Sequence, residues 1–261
     1  MKNNYSKKIF IILILFSLIL KSLSAQINAH EIMKRVSDTQ SYNSAALDII
    51  LILIDKNNEE RERRIQTLTR LKNGDKESIT IFLSPASVKQ TRFLTIEKDG
   101  KDEQWIYLPA LKQSKRISSG EQTGSFMGSD FSYADMSSTT FNHDEATHTF
   151  IKQDIYNDRE VYVIESIPKI DSNYGKSIVW VDKETFLPMK VELYDKNKTT
   201  LLKQLNTKKI ELIDNEWTAS IMEMETISTG HKTQIKIVQA KYNISIPSGY
   251  FSIKFLNTGR I

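Results

Sequence analysis

Cysteine is absent from the 261-residue chain. Disulfides therefore cannot hold it together, and a chain of this size must rest on its own core. The same absence excludes thioether lipidation of the chain itself, which needs a lipobox cysteine. Long apolar runs are scarce too, and beyond residue 20 none is long enough to span a bilayer. Net charge disappears once the first residues are set apart. The whole chain carries 36 Lys and Arg against 32 Asp and Glu. Its first 25 residues hold Lys2, Lys7, Lys8 and Lys21 and no acid, which leaves the remainder balanced at 32 of each. A nucleic-acid surface needs a basic face on a positive domain, and none is offered. The run Glu60-Arg61-Glu62-Arg63-Arg64 mixes signs and reads as a solvated strand edge or turn.

Catalytic signatures are missing as well. No phosphate-binding loop or dinucleotide glycine fingerprint occurs. Gly128-Ser129-Asp130 lacks the second glycine of a nucleophile elbow. The histidines are His30, His143, His148 and His231. His143, Asp144, Glu145 and His148 form a local cluster, but a spacing of five does not put both imidazoles on one helical face. They read as a solvated loop-to-strand junction. No catalytic centre, metal or cofactor is expected.

At the N-terminus Lys7 and Lys8 precede an apolar stretch over residues 9–20, followed by Ser22, Ser24 and Ala25. This is the three-part form of a secretory signal with a cut near Ser24 or Ala25. Twelve helical residues reach only about 18 Å against a hydrocarbon core of roughly 30 Å. Export and removal of residues 1–25 are expected, leaving one domain over residues 26–261 in the periplasm. Asn28, with Glu31 three residues on, predicts a helix over about 28–41, with Ile32, Met33 and Val36 on one face.

From residue 44 the period changes to two. Asn73-Gly74, Asp99-Gly100, Asn157-Asp158, Asp214-Asn215 and similar pairs punctuate thirteen alternating runs between 44 and 241. Short turns between consecutive runs imply an up-and-down antiparallel meander, because parallel pairing would need crossover helices. Met189, Val191 and Leu193 alternate with Lys190, Glu192 and Tyr194, as in a curved sheet wet on one side. Residues 44–55 are apolar on both faces, so both need cover, with the N-terminal helix as one candidate.

Residues 118–146 interrupt the pattern. The stretch is rich in Ser, Thr and Gly yet carries Phe126, Met127, Phe131, Tyr133, Met136 and Phe141. A plain linker would not hold so many large apolar groups. A lid is predicted, with a helical turn capped at Ser129 or Asp130. Each CH₂ buried on an apolar face is worth roughly 0.8 kcal/mol, so a lidded sheet can hold acyl chains without catalytic groups.

The block Trp105-Ile106-Tyr107-Leu108-Pro109-Ala110-Leu111-Lys112-Gln113-Ser114-Lys115-Arg116-Ile117, with Ser125-Phe126-Met127-Gly128-Ser129-Asp130-Phe131-Ser132-Tyr133-Ala134-Asp135-Met136 after it, resembles the outer-membrane lipoprotein-sorting (LolA-like) family. Val181-Asp182-Lys183-Glu184-Thr185-Phe186-Leu187-Pro188-Met189-Lys190 and Phe251-Ser252-Ile253-Lys254-Phe255-Leu256 are further echoes. The resemblance implies an unclosed antiparallel β-barrel with a helical lid over a hydrophobic cavity. It implies a periplasmic carrier of lipoprotein acyl chains or other lipids, served by an inner-membrane transporter of ABC or resistance-nodulation-division type and an outer-membrane acceptor. Phe126, Met127, Phe131 and Met136 are then expected at the cavity mouth, with Trp105 and Tyr107 on a strand below it. A non-carrier accessory or sensor module docking on an export complex is the competing expectation.

Overall fold

The computed structural model describes residues 28–39, 42–98, 101–137, 143–169 and 172–261. The expected signal segment lies outside the described residues. Among those described, no helix is long and apolar enough to cross a membrane.

The first element is α1 (Ala29–Thr39). Asn28 Oδ1 caps it, accepting from the backbone N–H of His30 at 3.0 Å and of Glu31 at 3.4 Å. Its apolar stripe of Ile32, Met33 and Val36 is buried. The opposite face is solvated and carries the i,i+4 ion pairs Arg35–Glu31 and Lys34–Asp38.

Thirteen strands follow: β1 (Ser44–Ile54), β2 (Glu60–Lys72), β3 (Asp75–Ser84), β4 (Arg92–Lys98), β5 (Lys101–Leu108), β6 (Gln113–Arg116), β7 (Ala146–Tyr156), β8 (Arg159–Pro168), β9 (Lys176–Asp182), β10 (Pro188–Tyr194), β11 (Leu201–Ile213), β12 (Glu216–Thr226) and β13 (His231–Tyr242). They form one antiparallel sheet in the order β6-β5-β4-β3-β2-β1-β13-β12-β11-β10-β9-β8-β7. Among the described residues the hairpins turn where the dipeptides predict, and the Asp99-Gly100 pair lies outside them. Asn157 and Asp158 have φ of 50° and 60°, and Asp214 and Asn215 have 52° and 65°, the paired positive values of a type I′ turn. Among the described residues, only the β1–β13 pairing joins strands distant in sequence. The sheet is not closed, because β6 and β7 remain its two edges.

The register shows which side chains share a face, since directly opposed residues project the same way. One continuous row runs Phe150, Ile164, Val179, Val191, Leu205, Met224, Thr233 and Leu53. A parallel row on the same side runs Ile237, Ile49, Ile65 and Phe82. This is the inner face. α1 packs on it over β8–β10, burying Ile164, Val179, Val181 and Val191 against Ile32, Met33 and Val36. The helix therefore does not cover β1. The inner side of β1 is covered by the lid segment, whose Phe126 joins Ile49, Ile65, Phe82, Phe93 and Ile106.

The outer face bears the last helix, α3 (Ile253–Thr258). Phe251, Phe255 and Leu256 pack on Leu68, Ile79 and Leu94, with Trp105 and Tyr107 beside them. Arg92 fastens this helix. Its Nε donates to the Leu256 carbonyl at 2.6 Å and its Nη2 to the Asn257 carbonyl at 3.1 Å, while the guanidinium lies 4.4 Å from the centre of the Tyr107 ring. Gly259 ends the helix in the left-handed region at φ 66°.

Candidate functional site

The candidate site is the inner face with the segment that roofs it. After β6, Ile117 N–H donates to the Gln104 carbonyl, and the chain then leaves the sheet. Residues 125–132 fold back on themselves. Ser125 and Ser132 form a bridge, and Phe126 N–H donates to the Phe131 carbonyl at 2.7 Å. Met127 and Gly128 turn the tip with φ of 52° and 78°. This small hairpin drives Phe126 onto the sheet. Its ring is 1% exposed and stands 5.9 Å from Phe82, 5.0 Å from Phe93 and 5.7 Å from Tyr133. Phe131 is buried, and Met127 and Met136 are half-buried against the same cluster.

The lid helix is α2 (Tyr133–Ser137). Its cap is Ser132 and not Ser129 or Asp130. Ser132 Oγ accepts from Asp135 N–H at 3.0 Å, and Asp135 Oδ2 accepts from Ser132 N–H at 2.8 Å, a reciprocal capping box. Ser129 instead bonds the Phe126 carbonyl within the tip.

Polar groups tie the lid to the sheet at chosen points. Arg63 donates to the Met127 carbonyl and Gln104 Nε2 to the Tyr133 carbonyl at 2.8 Å. The Asp130 carboxylate accepts from Thr226 Oγ1 at 2.6 Å and Thr233 Oγ1 at 2.7 Å, and lies 2.7 Å from His231 Nδ1. Asp130 N–H donates to Thr233 Oγ1 at 2.9 Å. Asp135 pairs with Lys203 Nζ at 3.1 Å and accepts from the Tyr174 hydroxyl at 3.1 Å. Burial, reinforced by the Asp135 carboxylate, pushes the Tyr174 phenol above its ordinary range. Burial, with Arg61 alongside, pulls the Arg63 guanidinium down. Lys203, Thr226 and His231 oppose one another across β11, β12 and β13 and form one rim of the inner face.

These tethers also fix the curvature. Tyr133 is held to β5 and Asp135, two residues on, to β11. Those strands stand seven places apart in the sheet, about 34 Å if it were flat. Side chains on one short helix cannot span that distance, so the sheet curls until the two strands face each other.

The predicted site residues divide by face. The inner face holds Phe126, Met127 and Met136 in one cluster with Ile106. Trp105 and Tyr107, which flank Ile106 on β5, project outward into the packing of α3. The strand does run under the lid, but its aromatics stabilise the outer helix and are not brought to the lid cluster. The rim residues Lys203, Thr226, His231 and Thr233 carry no motif that marks them in the sequence. Their signal is a polar residue at an inner-face position where the apolar alternation should continue. Beneath the lid, Gln104 Oε1 and Thr95 Oγ1 are buried without a hydrogen-bond partner among the described residues, and the two residues are directly opposed on β4 and β5. His148 Nδ1 lies 2.7 Å from Ser166 Oγ, and the side chain of His143 is outside the description. A surface cleft of about 390 Å³ lies between the β7–β8 and β9–β10 turns. Arg159, Asp182, Lys183, Glu160 and Glu184 line it and pair with one another, so it is no apolar site.

An unclosed antiparallel sheet with a helix and a lid on its inner face defines the LolA-like class of fold. A structure of a domain named for outer membrane lipoprotein sorting, from Vibrio parahaemolyticus, is 31% identical, with a TM-score of 0.81 over 88% of this chain and 98% of that one. A DUF1329 family protein from Desulfovibrio piger is 26% identical, with a TM-score of 0.83 over 87% and 97%. A LolA superfamily protein from Nitrosomonas europaea shares the fold at 19% identity, with a TM-score of 0.71 over 88% and 99%. A family model described only as an uncharacterized protein matches residues 74–258. No curated protein matches the chain in sequence. The chain belongs to the LolA-like outer-membrane lipoprotein-sorting family.

Proposed function

We propose that this protein is a periplasmic carrier that takes acyl chains of lipoproteins or other lipids onto its inner face and shuttles them toward the outer membrane. On this reading residues 1–25 are a cleaved signal and residues 26–261 a single lipid-binding domain. An inner-membrane ABC or resistance-nodulation-division transporter would supply the cargo and an outer-membrane acceptor would receive it.

The observation that carries the reading is how the lid is attached. Among the described residues, no backbone ladder bond joins residues 118–136 to a strand; side-chain bonds and apolar contact do the work. The lid can leave the inner face without unpairing the sheet. What it uncovers is largely apolar: Ile49, Ile65, Phe82, Phe93 and Ile106, with Gln104 and Thr95 among them, and Met222 and Met224, opposite Ile235 and Thr233, continue the same face of the sheet. A lifted lid leaves this surface in water unless a chain of methylenes replaces Phe126. Methionine suits such a surface because its side chain adapts to irregular shapes.

Native mass spectrometry of the protein purified from its own cells, followed by organic extraction, tests the proposal. A bound acylated species supports it and names the cargo class. A clean apo mass, with no uptake of offered lipid or lipopeptide, overturns it in favour of a docking module with a filled interior.

A further inference from the structure

Asp130 is held as a bound anion would be. Its side chain is only 4% exposed, yet no strand carries it. Two hydroxyls and an imidazole from β12 and β13 converge on its two oxygens, at 2.6 to 2.7 Å. Next along the same rim, Lys203 Nζ from β11 and the Tyr174 hydroxyl close on Asp135, whose side chain is 12% exposed. The receiving groups belong to the sheet and the 172–175 loop, and the carboxylates belong to the removable lid. When the lid lifts, Lys203, His231, Thr226 and Thr233 stay in place and lose their anions. Among the described residues, the acids near the rim are engaged elsewhere: Asp55 in the β1–β2 turn accepts from the backbone N–H groups of Asn57 and Glu59, Glu225 pairs with Lys232, and Glu192 accepts from the Tyr194 hydroxyl. A cation with three or four donors around it and no carboxylate is a receptor for an anion.

We infer that the rim formed by Lys203, Thr226, His231 and Thr233 is an anion-binding site for the acidic head group of an acyl ligand, and that Asp130 and Asp135 occupy it as stand-ins while the lid is closed. The inference rests on the carrier reading. The acyl chain takes the apolar strip vacated by Phe126, and the head group takes the rim vacated by the two carboxylates. Ligand binding and lid closure thus compete for the same donors, and release of a ligand is completed when the aspartates return.

The test uses two probes with the same acyl chain, monopalmitoyl glycerol phosphate and monopalmitoyl glycerol, titrated into the full-length mature protein by calorimetry, with inorganic phosphate alone as a third arm. The readout is the ratio of the affinities for the charged and neutral probes, which a general loosening of the lid does not move. The wild type is expected to favour the charged probe by roughly tenfold, the scale of one or two charge-assisted hydrogen bonds. Lys203→Met and Thr226→Val are expected to bring the ratio toward one. The double variant Asp130→Asn with Asp135→Asn, which removes the internal competitors, is expected to raise it. Equal affinities for the two probes in wild type, or a ratio unmoved by Lys203→Met and Thr226→Val, overturns the head-group site while the carrier reading stands. Failure of both probes to bind wild type overturns the carrier reading and this inference with it. Inorganic phosphate binding as tightly as the acyl phosphate identifies a free-anion site and overturns the acyl assignment.

Discussion

The Asp130 carboxylate lies 2.7 Å from His231 Nδ1 across 101 residues of sequence. Thr226 and Thr233 complete its surroundings, so truncating it strands donors on two strands as well as freeing the lid tip. Asp130→Ala is expected to lower the local opening free energy of residues 124–136 by about 2–4 kcal/mol, from the loss of charge-assisted hydrogen bonds. Hydrogen exchange should quicken in this segment alone, with the β8–β10 amides unchanged. Uniform acceleration across the sheet would show that Asp130 supports the whole fold and does not act as a lid fastening.

Phe126 separates packing from binding. Its ring meets Phe82, Phe93 and Tyr133, so Phe126→Ala is expected to cost about 3–5 kcal/mol. Phe126→Leu keeps most of the volume and should cost about 1–1.5 kcal/mol. If Phe126 roofs an acyl site, the leucine variant should shift acyl affinity measurably while losing no more stability than that, well short of the alanine variant. Unchanged affinity in that variant would make the ring ordinary core.

The outer helix offers a control that leaves the inner face alone. Arg92→Met removes the donors to the Leu256 and Asn257 carbonyls, and a loss of about 2–3 kcal/mol in chemical denaturation is expected. Gly259→Ala should destabilise by about 1–2 kcal/mol. The position sits at φ 66°, and an added Cβ would stand 2.9 Å from Arg92 Nη1. Neither variant should change which acyl probe binds better, and a change would mean that the two faces are coupled.

Acid should act on the half of the sheet remote from the lid. Burial pushes the Asp182 carboxyl up, but Arg159 at 2.6 Å and the N–H and hydroxyl of Thr185 outweigh it, and the net shift is downward. A carboxyl lowered in the folded state contributes stability that is complete above its unfolded pKa, near 3.9, and is lost as the pH falls through the folded value. Asp182→Asn should therefore flatten the acid limb of the stability curve below about pH 4. An unaltered slope in urea midpoints measured from neutral pH downward would remove Asp182 from the account.

Much of the architecture is readable in the chain. Period-two alternation and the Asn-Gly and Asn-Asp pairs locate all thirteen strands to within about two residues, because a positive-φ turn and a half-buried strand are both local requirements. The lid is readable because Ser- and Gly-rich spacing rarely surrounds Phe126, Phe131 and Met136. Sidedness is not readable. Alternation groups Trp105 with Tyr107 but does not say which face packs a helix, and that depends on α3, some 145 residues away. The rim is hidden for the same reason. Lys203 and His231 are ordinary charged residues until the fold brings Asp135 and Asp130 to them. Ser129, Asp130 and Ser132 are all capping residue types, and what selects Ser132 is Asp135 three residues on, which closes the capping box.

The sheet ends at β6 and β7 without a shared ladder. In a closed barrel, strand number and stagger dictate the bore, and widening it means breaking hydrogen bonds. Here the seam acts as an expansion joint. The girth of the molecule is set by side chains across the interior, Gln104 and Arg63 on one side and Lys203, Thr226 and Thr233 on the other, all gripping the same short segment. Exchanging that grip for a bulkier occupant alters the girth by bending strands already twisted, at no cost in backbone pairing. On the carrier reading, one sequence could in this way fit occupants of unequal thickness.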